Sequence, residues 1–176
     1  MIYADICAGI SAASAAWRPL GWKAALYSEI EKFPSAVLAH RYPETPNRGD
    51  MTRFEEWPDA DLDVLIGGTP CQGFSVAGLR KGLDDPRSNL ALCFGLIAKR
   101  YRPRWLLWEN VPGARSSWSG APDGDGLAPG ERWEGDETSD FDQFAHGLQE
   151  LGYGLAWRSF DAQYFDLAQR DRKSVV

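Results

Sequence analysis

Short apolar runs alternate with helix-like segments along most of the chain. Four runs predict strands: "MIYADICA", "WKAALYSEI", "LDVLIGG" and "PRWLLWENV". Between them, the segments "SAASAAWRPLG", "KFPSAVLAHRY" and "NLALCFGLIAKRY" have the patterns of helices, the first of which is stopped by Pro19 and Gly21. Strands that alternate with helices predict an α/β fold, with a doubly wound, mostly parallel sheet that carries helices on both faces.

The pattern changes beyond the fourth predicted strand. The segment from about residue 114 to residue 140 is rich in Gly, Pro, Ser and acidic residues, which predicts a long flexible loop inside one domain spanning residues 1–176. Regular patterning returns with "FDQFAHGLQELG", which predicts a helix ending near Gly152. The segment "YGLAWRSFDA" then predicts a strand, and "LAQRDRKSVV" predicts the start of another.

Composition and charge limit the classes of function. The chain is 44% hydrophobic, but it contains no long apolar run that could span a membrane, and its first residues lack the pattern of a signal peptide. Three irregularly spaced cysteines and two histidines indicate neither a disulfide framework nor a metal site, so we expect a cytoplasmic protein with reduced thiols. A net charge of −6 argues against broad nonspecific binding to nucleic-acid phosphates.

Candidate binding residues follow the predicted strands, because ligands of a doubly wound sheet bind beyond the carboxyl ends of its strands. Gly9 follows the first strand and would let the backbone pass close to a ligand, although turns also use glycine for other reasons. Glu29 follows the second strand, where a carboxylate either accepts hydrogen bonds from ribose hydroxyls or stays a solvated surface group. Asp50 either receives an adenine amino group or only forms a Gly-Asp turn.

Two further strand ends carry candidate catalytic residues. Cys71 lies in "IGGTPCQGFSVAG", where glycines and Pro70 present the thiol at a strand end, and an ionised thiol there is a nucleophile. Glu109 lies in "LLWENVPG", where a carboxyl group among apolar neighbours can carry a proton. Together they suit addition of a thiolate to an electron-poor heteroaromatic ring. A thiol-dependent hydrolase is the weaker alternative, because both histidines fall in predicted helices.

In combination these motifs resemble those of the DNA (cytosine-5)-methyltransferase family of bacteria and phages. "DICAGIS" resembles the family's first motif, "GGTPCQGFS" its Pro-Cys catalytic loop and "WENVPG" its Glu-Asn-Val motif. "DDPRSNL" and "DAQYFDLAQRDRK" resemble later segments, and the matches run in the family's order over essentially the whole chain. The resemblance implies a Rossmann-like, S-adenosylmethionine-dependent methyltransferase fold that acts on double-stranded DNA.

The resemblance also implies roles for individual residues. Cys71 would attack carbon-6 of a flipped cytosine, and Glu109 would support protonation at N3, so that carbon-5 takes the methyl group of S-adenosylmethionine. The implied cofactor-binding residues are Cys7, Gly9, Ile10, Ser11, Glu29, Ile30, Asp50, Met51, Gly68, Pro70 and Leu90. The implied base pocket consists of Gln72, Ser75, Asn110, Val111, Gln169, Arg170, Arg172 and Lys173, and no metal is implied.

Two departures from the family pattern leave alternatives open. In the segment Gln169–Lys173, aspartate and lysine stand where the family has arginines, unless the strand is shifted by one residue. The family also continues with a target-recognition region and a final motif, so we expect a fold that is incomplete at its C-terminal end. A separate chain would then supply recognition, or the last strand would pair with a second copy. A noncatalytic cofactor-binding or regulatory subunit, or an inactive remnant, is the alternative to an enzyme.

Overall fold

The computed structural model describes residues 1–70, 90–111, 140–166 and 172–176. The chain divides into two compact units. The first unit comprises Met1–Thr69 and Leu96–Glu109, and the second comprises Pro70–Gly95 and Asn110–Val176.

Parallel strands form the centre of the first unit. They are β1 (Ile2–Ile6), β2 (Lys23–Ser28), β3 (Val64–Gly67) and β4 (Trp105–Asn110), the last residue of which belongs to the second unit. Their order is β2-β1-β3-β4, with Ile6 beside Gly67 and Gly67 beside Trp108. Because all four run in the same direction, their carboxyl ends lie along one edge of the sheet.

The connections of these strands give the doubly wound arrangement. Helix α1 (Ala12–Trp17) leads from β1 outward to β2, and α2 (Lys32–Arg41) lies on the path back across β1 to β3. Right-handed crossovers in opposite directions place the two helices on opposite faces of the sheet. The predicted α/β fold is confirmed, and the point between β1 and β3 where the winding reverses is where such sheets bind ligands.

Aromatic contacts and arginine hydrogen bonds connect the outer segments of the first unit. Trp17 meets the buried ring of Tyr3 edge-on at 5.0 Å between ring centroids, and Trp22 lies 4.9 Å from Trp17. Helix α3 (Leu90–Tyr101) belongs to this unit from Leu96 onward, and its Arg100 donates hydrogen bonds of 2.6 and 2.7 Å to the backbone carbonyls of Phe54 and Trp57.

The described part of the second unit contains helix α4 (Asp140–Glu150) and an antiparallel pair, β5 (Arg158–Asp161) and β6 (Arg172–Val175). Helix α4 buries Phe141, Phe144 and Leu148 at the spacing of one helical face. The ring of Phe141 also meets Trp157 at 5.8 Å between centroids.

The structure refines the sequence prediction in three segments. The strand predicted in "YGLAWRSFDA" begins only at Arg158, since its ladder with β6 starts at the pair Arg158 and Val175. Asp140, at the end of the predicted loop, starts α4, and the rest of that loop lies outside the described residues. The predicted turn at Asp50 leads into a 3₁₀ helix, Met51–Glu56, because the Asp50 carboxylate accepts a hydrogen bond from Thr52 N at 2.9 Å.

Candidate functional site

The loop that follows β1 contains three residues with a left-handed backbone conformation. Cys7, Gly9 and Ser11 all have positive φ angles, of 53°, 54° and 59°. A non-glycine residue pays a steric cost in this region, and here local hydrogen bonds offset it. Ser11 caps α1 by accepting a hydrogen bond from Ser14 N at 3.1 Å, and Ala8 N donates to the carbonyl of Ser28 at 3.1 Å.

The carboxylate of Glu29 ties this loop to the end of β2. Gly9 N donates to Glu29 Oε2 at 2.7 Å, and Glu31 N donates to Glu29 Oε1 at 2.8 Å. The side chain is only 9% exposed, so its charge is held by backbone donors instead of water. Each carboxylate oxygen keeps a further acceptor position, and a vicinal diol could donate to both.

Asn47 holds the loops after β2 and before the 3₁₀ helix together, and the sequence analysis missed it. Its Oδ1 accepts hydrogen bonds from Glu29 N at 3.0 Å and Gly49 N at 3.1 Å, while its Nδ2 donates to Glu29 O at 2.9 Å. Ser28 Oγ adds a bond of 2.6 Å to Gly49 O. An asparagine just before a Gly-Asp turn was the available signal, since asparagine commonly bonds to backbone groups two residues away.

Cys7 lies near the carboxyl groups of Glu29, Asp5 and Asp50. Its Sγ is 3.5 Å from the sulfur of Met51, and the side chain is half-buried. Burial is the largest cause of a rise in the pKa of the Cys7 thiol to about 11, to which the negative charges of Glu29, Asp5 and Asp50 also contribute. The thiol therefore stays protonated near neutral pH, which suits a packing or contact role and not a nucleophile.

A second buried carboxyl group, Asp5, was also missed by the sequence analysis. Asp5 is 5% exposed, and Ser11 Oγ donates to its Oδ2 at 2.6 Å. Ser14 Oγ lies 2.7 Å from Ser11 Oγ and 2.7 Å from the hydroxyls of both Tyr3 and Tyr27. An acid inside the otherwise apolar run "IYADI" was the sequence signal for this buried chain of hydroxyl groups.

Burial raises the pKa of Asp5 to about 7. Loss of hydration is the largest cause of this rise. The charge of Glu29 raises the pKa as well, whereas the hydrogen bond from Ser11 lowers it without cancelling the rise. Asp5 is therefore partly protonated near neutral pH, and the folded chain binds a proton there more tightly than the unfolded chain does.

The ends of β3 and β4 bring two of the sequence motifs together. A Cβ atom placed on Gly68 would lie 2.6 Å from Glu109 Oε2, a distance that real Cβ atoms do not show. Glycine at this position therefore leaves the space that the Glu109 carboxylate occupies. Trp108 Nε1 also donates to Thr69 Oγ1 at 2.9 Å, and both of these side chains are buried. Glu109 itself is half-buried.

The structure places the other predicted site residues as follows. In the first unit, Ile10 and Ile30 are exposed and Met51 is buried. In the second unit, Pro70 is exposed, whereas Leu90 and Lys173 are half-buried; Asn110 is buried, and its Oδ1 accepts a hydrogen bond from Val111 N at 2.9 Å. The predicted residues that lie outside the described ones are Cys71, Gln72, Ser75, Gln169 and Arg170, together with the side chain of Arg172.

Two kinds of feature are absent from the described residues. No group of three or more His, Cys, Asp or Glu side chains is arranged to hold a metal ion within the described ranges. No helix among the same residues is both long enough and apolar enough to cross a bilayer.

This chain is similar in sequence to known methyltransferases. A family model described as C-5 cytosine-specific DNA methylase matches residues 1–176. A protein of Escherichia phage P1 named DNA N-6-adenine-methyltransferase is 41% identical over 211 aligned residues, which cover 100% of this chain and 28% of that protein. Type II methyltransferase M.BsuFI of Bacillus subtilis is 30% identical, over 100% of this chain and 38% of its own length.

A solved structure agrees with the fold. The methyltransferase Dnmt2 of S. pombe superimposes with a TM-score of 0.65 over 99% of this chain and 48% of its own, at 16% sequence identity. Identity this low supports the architecture only. The chain spans less than half of the length of each of these three proteins.

The buried Asp5 carboxyl group predicts a pH dependence of stability. Since its pKa is raised above the usual 3.8, its stabilising proton is fully bound below about pH 4 and is lost as the pH rises through about 7. Between pH 5 and pH 8 this loss should cost on the order of 2 kcal/mol of unfolding free energy. Asp5→Asn removes the titrating group and keeps an acceptor for Ser11, so the variant should gain stability relative to the unaltered chain as the pH rises.

Urea unfolding at pH 5, 7 and 8 measures this difference. Asp61→Asn is the control, because Asp61 is exposed and its loss should leave the pH profile unchanged. A stability difference between Asp5→Asn and the unaltered chain that stays constant from pH 5 to pH 8 would contradict the prediction.

Proposed function

Because this chain belongs to the C-5 cytosine-specific DNA methylase family, we propose that it forms the catalytic region of an enzyme that transfers a methyl group from S-adenosylmethionine to carbon-5 of cytosine in DNA. The observation that carries this proposal is the close approach of the Glu109 carboxylate to Gly68, which precedes Cys71 by three residues in the sequence. This approach supports the proposal that the thiol of Cys71 and the carboxyl group of Glu109 act on one aromatic ring.

The residues at the carboxyl ends of β1 and β2 fit S-adenosylmethionine. The buried Glu29 carboxylate keeps acceptor positions for the two ribose hydroxyls, and a Cβ on Gly9 would meet no atom within 4 Å, so space is open beside the backbone there. Asp50 and Met51 would contact the adenine, with Cys7, Ile10, Ser11 and Ile30 around them and Gly68, Pro70 and Leu90 toward the methionine. When bound, the cofactor supplies an electrophilic methyl group on its sulfonium sulfur.

The proposed chemistry uses one thiol and one carboxyl group of this chain. Cys71, as thiolate, forms a bond to carbon-6 of a flipped cytosine, and the displaced electron pair makes carbon-5 nucleophilic while Glu109 donates a hydrogen bond or a proton to N3. After carbon-5 has taken the methyl group, it loses its proton to a base. The electron pair of that C–H bond re-forms the double bond between carbon-5 and carbon-6, and the bond between carbon-6 and sulfur breaks with its electron pair on sulfur, which frees the thiolate.

Cytosine is the proposed substrate in spite of the name of the phage P1 relative. Methylation of the exocyclic nitrogen of adenine uses a lone pair that is already present, so it does not need a thiol to add to the ring. The Pro-Cys and Glu-Asn-Val motifs of this sequence supply the thiol and the carboxyl group that activation of a ring carbon uses. This chain also covers only 28% of that relative, which leaves most of the relative's activity outside the comparison.

Double-stranded DNA is the proposed macromolecular partner. Base-edge recognition needs an element that places donors and acceptors in a groove, and the net charge of −6 gives little nonspecific attraction to phosphates. We propose that such an element, in this protein or in a separate chain, supplies the sequence specificity. The residues proposed to line the base pocket are Gln72, Ser75, Asn110, Val111, Gln169, Arg170, Arg172 and Lys173.

Loss of the Glu29 carboxylate should weaken cofactor binding. Glu29→Gln keeps the size of the side chain but removes the charge, so the affinity for S-adenosylmethionine should fall about ten- to a hundredfold, the usual range for a charge-assisted hydrogen bond. Isothermal titration calorimetry measures this change. Glu55→Gln is the matched control, because Glu55 is exposed, and unchanged affinity in Glu29→Gln would remove Glu29 from the cofactor site.

Gly68→Ala should separate function from stability. The added methyl group would collide with the terminal oxygen of Glu109, and because that oxygen ends a flexible side chain, the carboxylate can move away at little cost in stability. We expect methyl transfer to fall at least about tenfold, while the unfolding free energy changes by less than about 1 kcal/mol. Gly147→Ala in α4 meets no atom within 4 Å and should leave methyl transfer unchanged. Full activity of Gly68→Ala would contradict the role of Glu109.

The covalent step is tested by a substrate that traps the adduct. A fluorine at carbon-5 cannot leave as a proton does, so a duplex that carries 5-fluorocytosine should stay bonded to Cys71 after methyl transfer. A denaturing gel with labelled duplex detects the bonded complex. Cys71→Ser should abolish it, whereas Cys93→Ala, which alters a buried cysteine of α3, should retain it. Trapping that persists in Cys71→Ser, or the loss of trapping in both variants, would count against Cys71 as the nucleophile.

A further inference from the structure

A cavity of about 630 Å³ opens on the first unit. It reaches the beginnings of β1 and β2 at Tyr3 and Lys23, and it continues past the end of α2 at Arg41. Its volume lies within the range of sites that hold small molecules, which is about 300–1,000 Å³. None of the residues proposed for the cofactor or the base contributes to its lining.

The charge of the lining is opposite to that of the protein as a whole. Arg18, Lys23 and Arg41 contribute to it, whereas Glu44 is its only acidic residue. No ion pair or side-chain hydrogen bond engages the three cationic groups within the part of the chain that the structure describes. A chain with a net charge of −6 thus gathers three unpaired cations around one concave surface, which favours an anionic ligand.

The remainder of the lining offers flat apolar surfaces and hydroxyl groups. Trp22 and Tyr42 are half-buried, so each ring presents part of its surface to the cavity. Tyr3, Ser14 and Tyr27 lie at its buried side, where the two phenol hydroxyls share Ser14 Oγ at 2.7 Å. Aromatic rings stack on planar ring systems, and cationic side chains bind phosphate.

We propose that this cavity is a second binding site of the protein, which takes a small phosphate-bearing ligand with a planar ring, chemically a nucleoside monophosphate. The cationic side chains at the rim bind the phosphate, and the ring lies against Trp22 or Tyr42. An inorganic phosphate ion alone would fill little of the volume, and a DNA duplex could not enter it. The site shares no residue with the proposed S-adenosylmethionine site, so the test of nucleotide binding does not depend on the proposed methyl transfer.

Equilibrium dialysis of the full chain with radiolabelled deoxycytidine monophosphate tests the proposal. We expect saturable binding with a dissociation constant below about 1 mM, and binding of inorganic phosphate or deoxycytidine alone should be at least about tenfold weaker. An excess of S-adenosylhomocysteine should not displace the nucleotide. No saturable binding below about 1 mM, or complete displacement by S-adenosylhomocysteine, would overturn the proposal.

Charge variants locate the binding. Arg41→Gln and Lys23→Gln should each weaken nucleotide binding about five- to tenfold, since an exposed cation contributes less than a buried one. Lys32→Gln removes a positive charge from the other end of α2 and lies outside the cavity, so it should leave the affinity unchanged. Equal weakening by Lys32→Gln, or none by Arg41→Gln and Lys23→Gln together, would contradict the assignment. All three side chains are exposed, and thermal unfolding checks that the variants remain folded.

Discussion

The carboxylate of Glu29 accepts hydrogen bonds from backbone amides on two different loops while it is almost wholly buried. Parallel strands bring their carboxyl ends to one edge, but the loops that follow them are free to diverge unless something connects them. Here the connection is one charged side chain, joined by the amide of Asn47 and the hydroxyl of Ser28. The edge of the sheet is therefore fixed before any ligand arrives, which reduces the ordering cost of binding.

The same edge gathers negative charge, and that charge has chemical consequences. Burial and the charges of Glu29, Asp5 and Asp50 together raise the pKa of Cys7, so this thiol is kept protonated and unreactive. An edge of this kind attracts hydroxyl and amino donors and repels phosphates, which agrees with a site for a positively charged nucleoside cofactor. The cavity lined by Arg18, Lys23 and Arg41 has the opposite charge, so the two proposed sites would select ligands by the sign of their charge.

Close packing explains why a glycine precedes the Pro-Cys motif. Gly68 was expected among the cofactor-binding residues from the family pattern, and as a residue that directs the chain out of a strand. The structure adds a second reason, since the carboxylate of Glu109 occupies the space that any other side chain would require. Position 68 is thus constrained by a residue that lies 41 positions later in the sequence and that adjoins it only because β3 and β4 are neighbours.

The sequence by itself determined the alternation of strands and helices, and with it the parallel sheet, because hydrophobic periodicity and helix-stopping residues are local properties. It also placed Gly9, Glu29 and Glu109 near strand ends: Gly9 and Glu29 follow β1 and β2, whereas Glu109 is the last residue but one of β4 and not, as predicted, just past it. The start of β5 was misplaced, because strand length depends on a partner strand. Only the tertiary structure decided that Glu29 bonds to Gly9, that Asp5 is buried beneath Ser11, and that three cations surround one cavity. These facts depend on distances between residues far apart in sequence, which hydrophobic patterning does not encode.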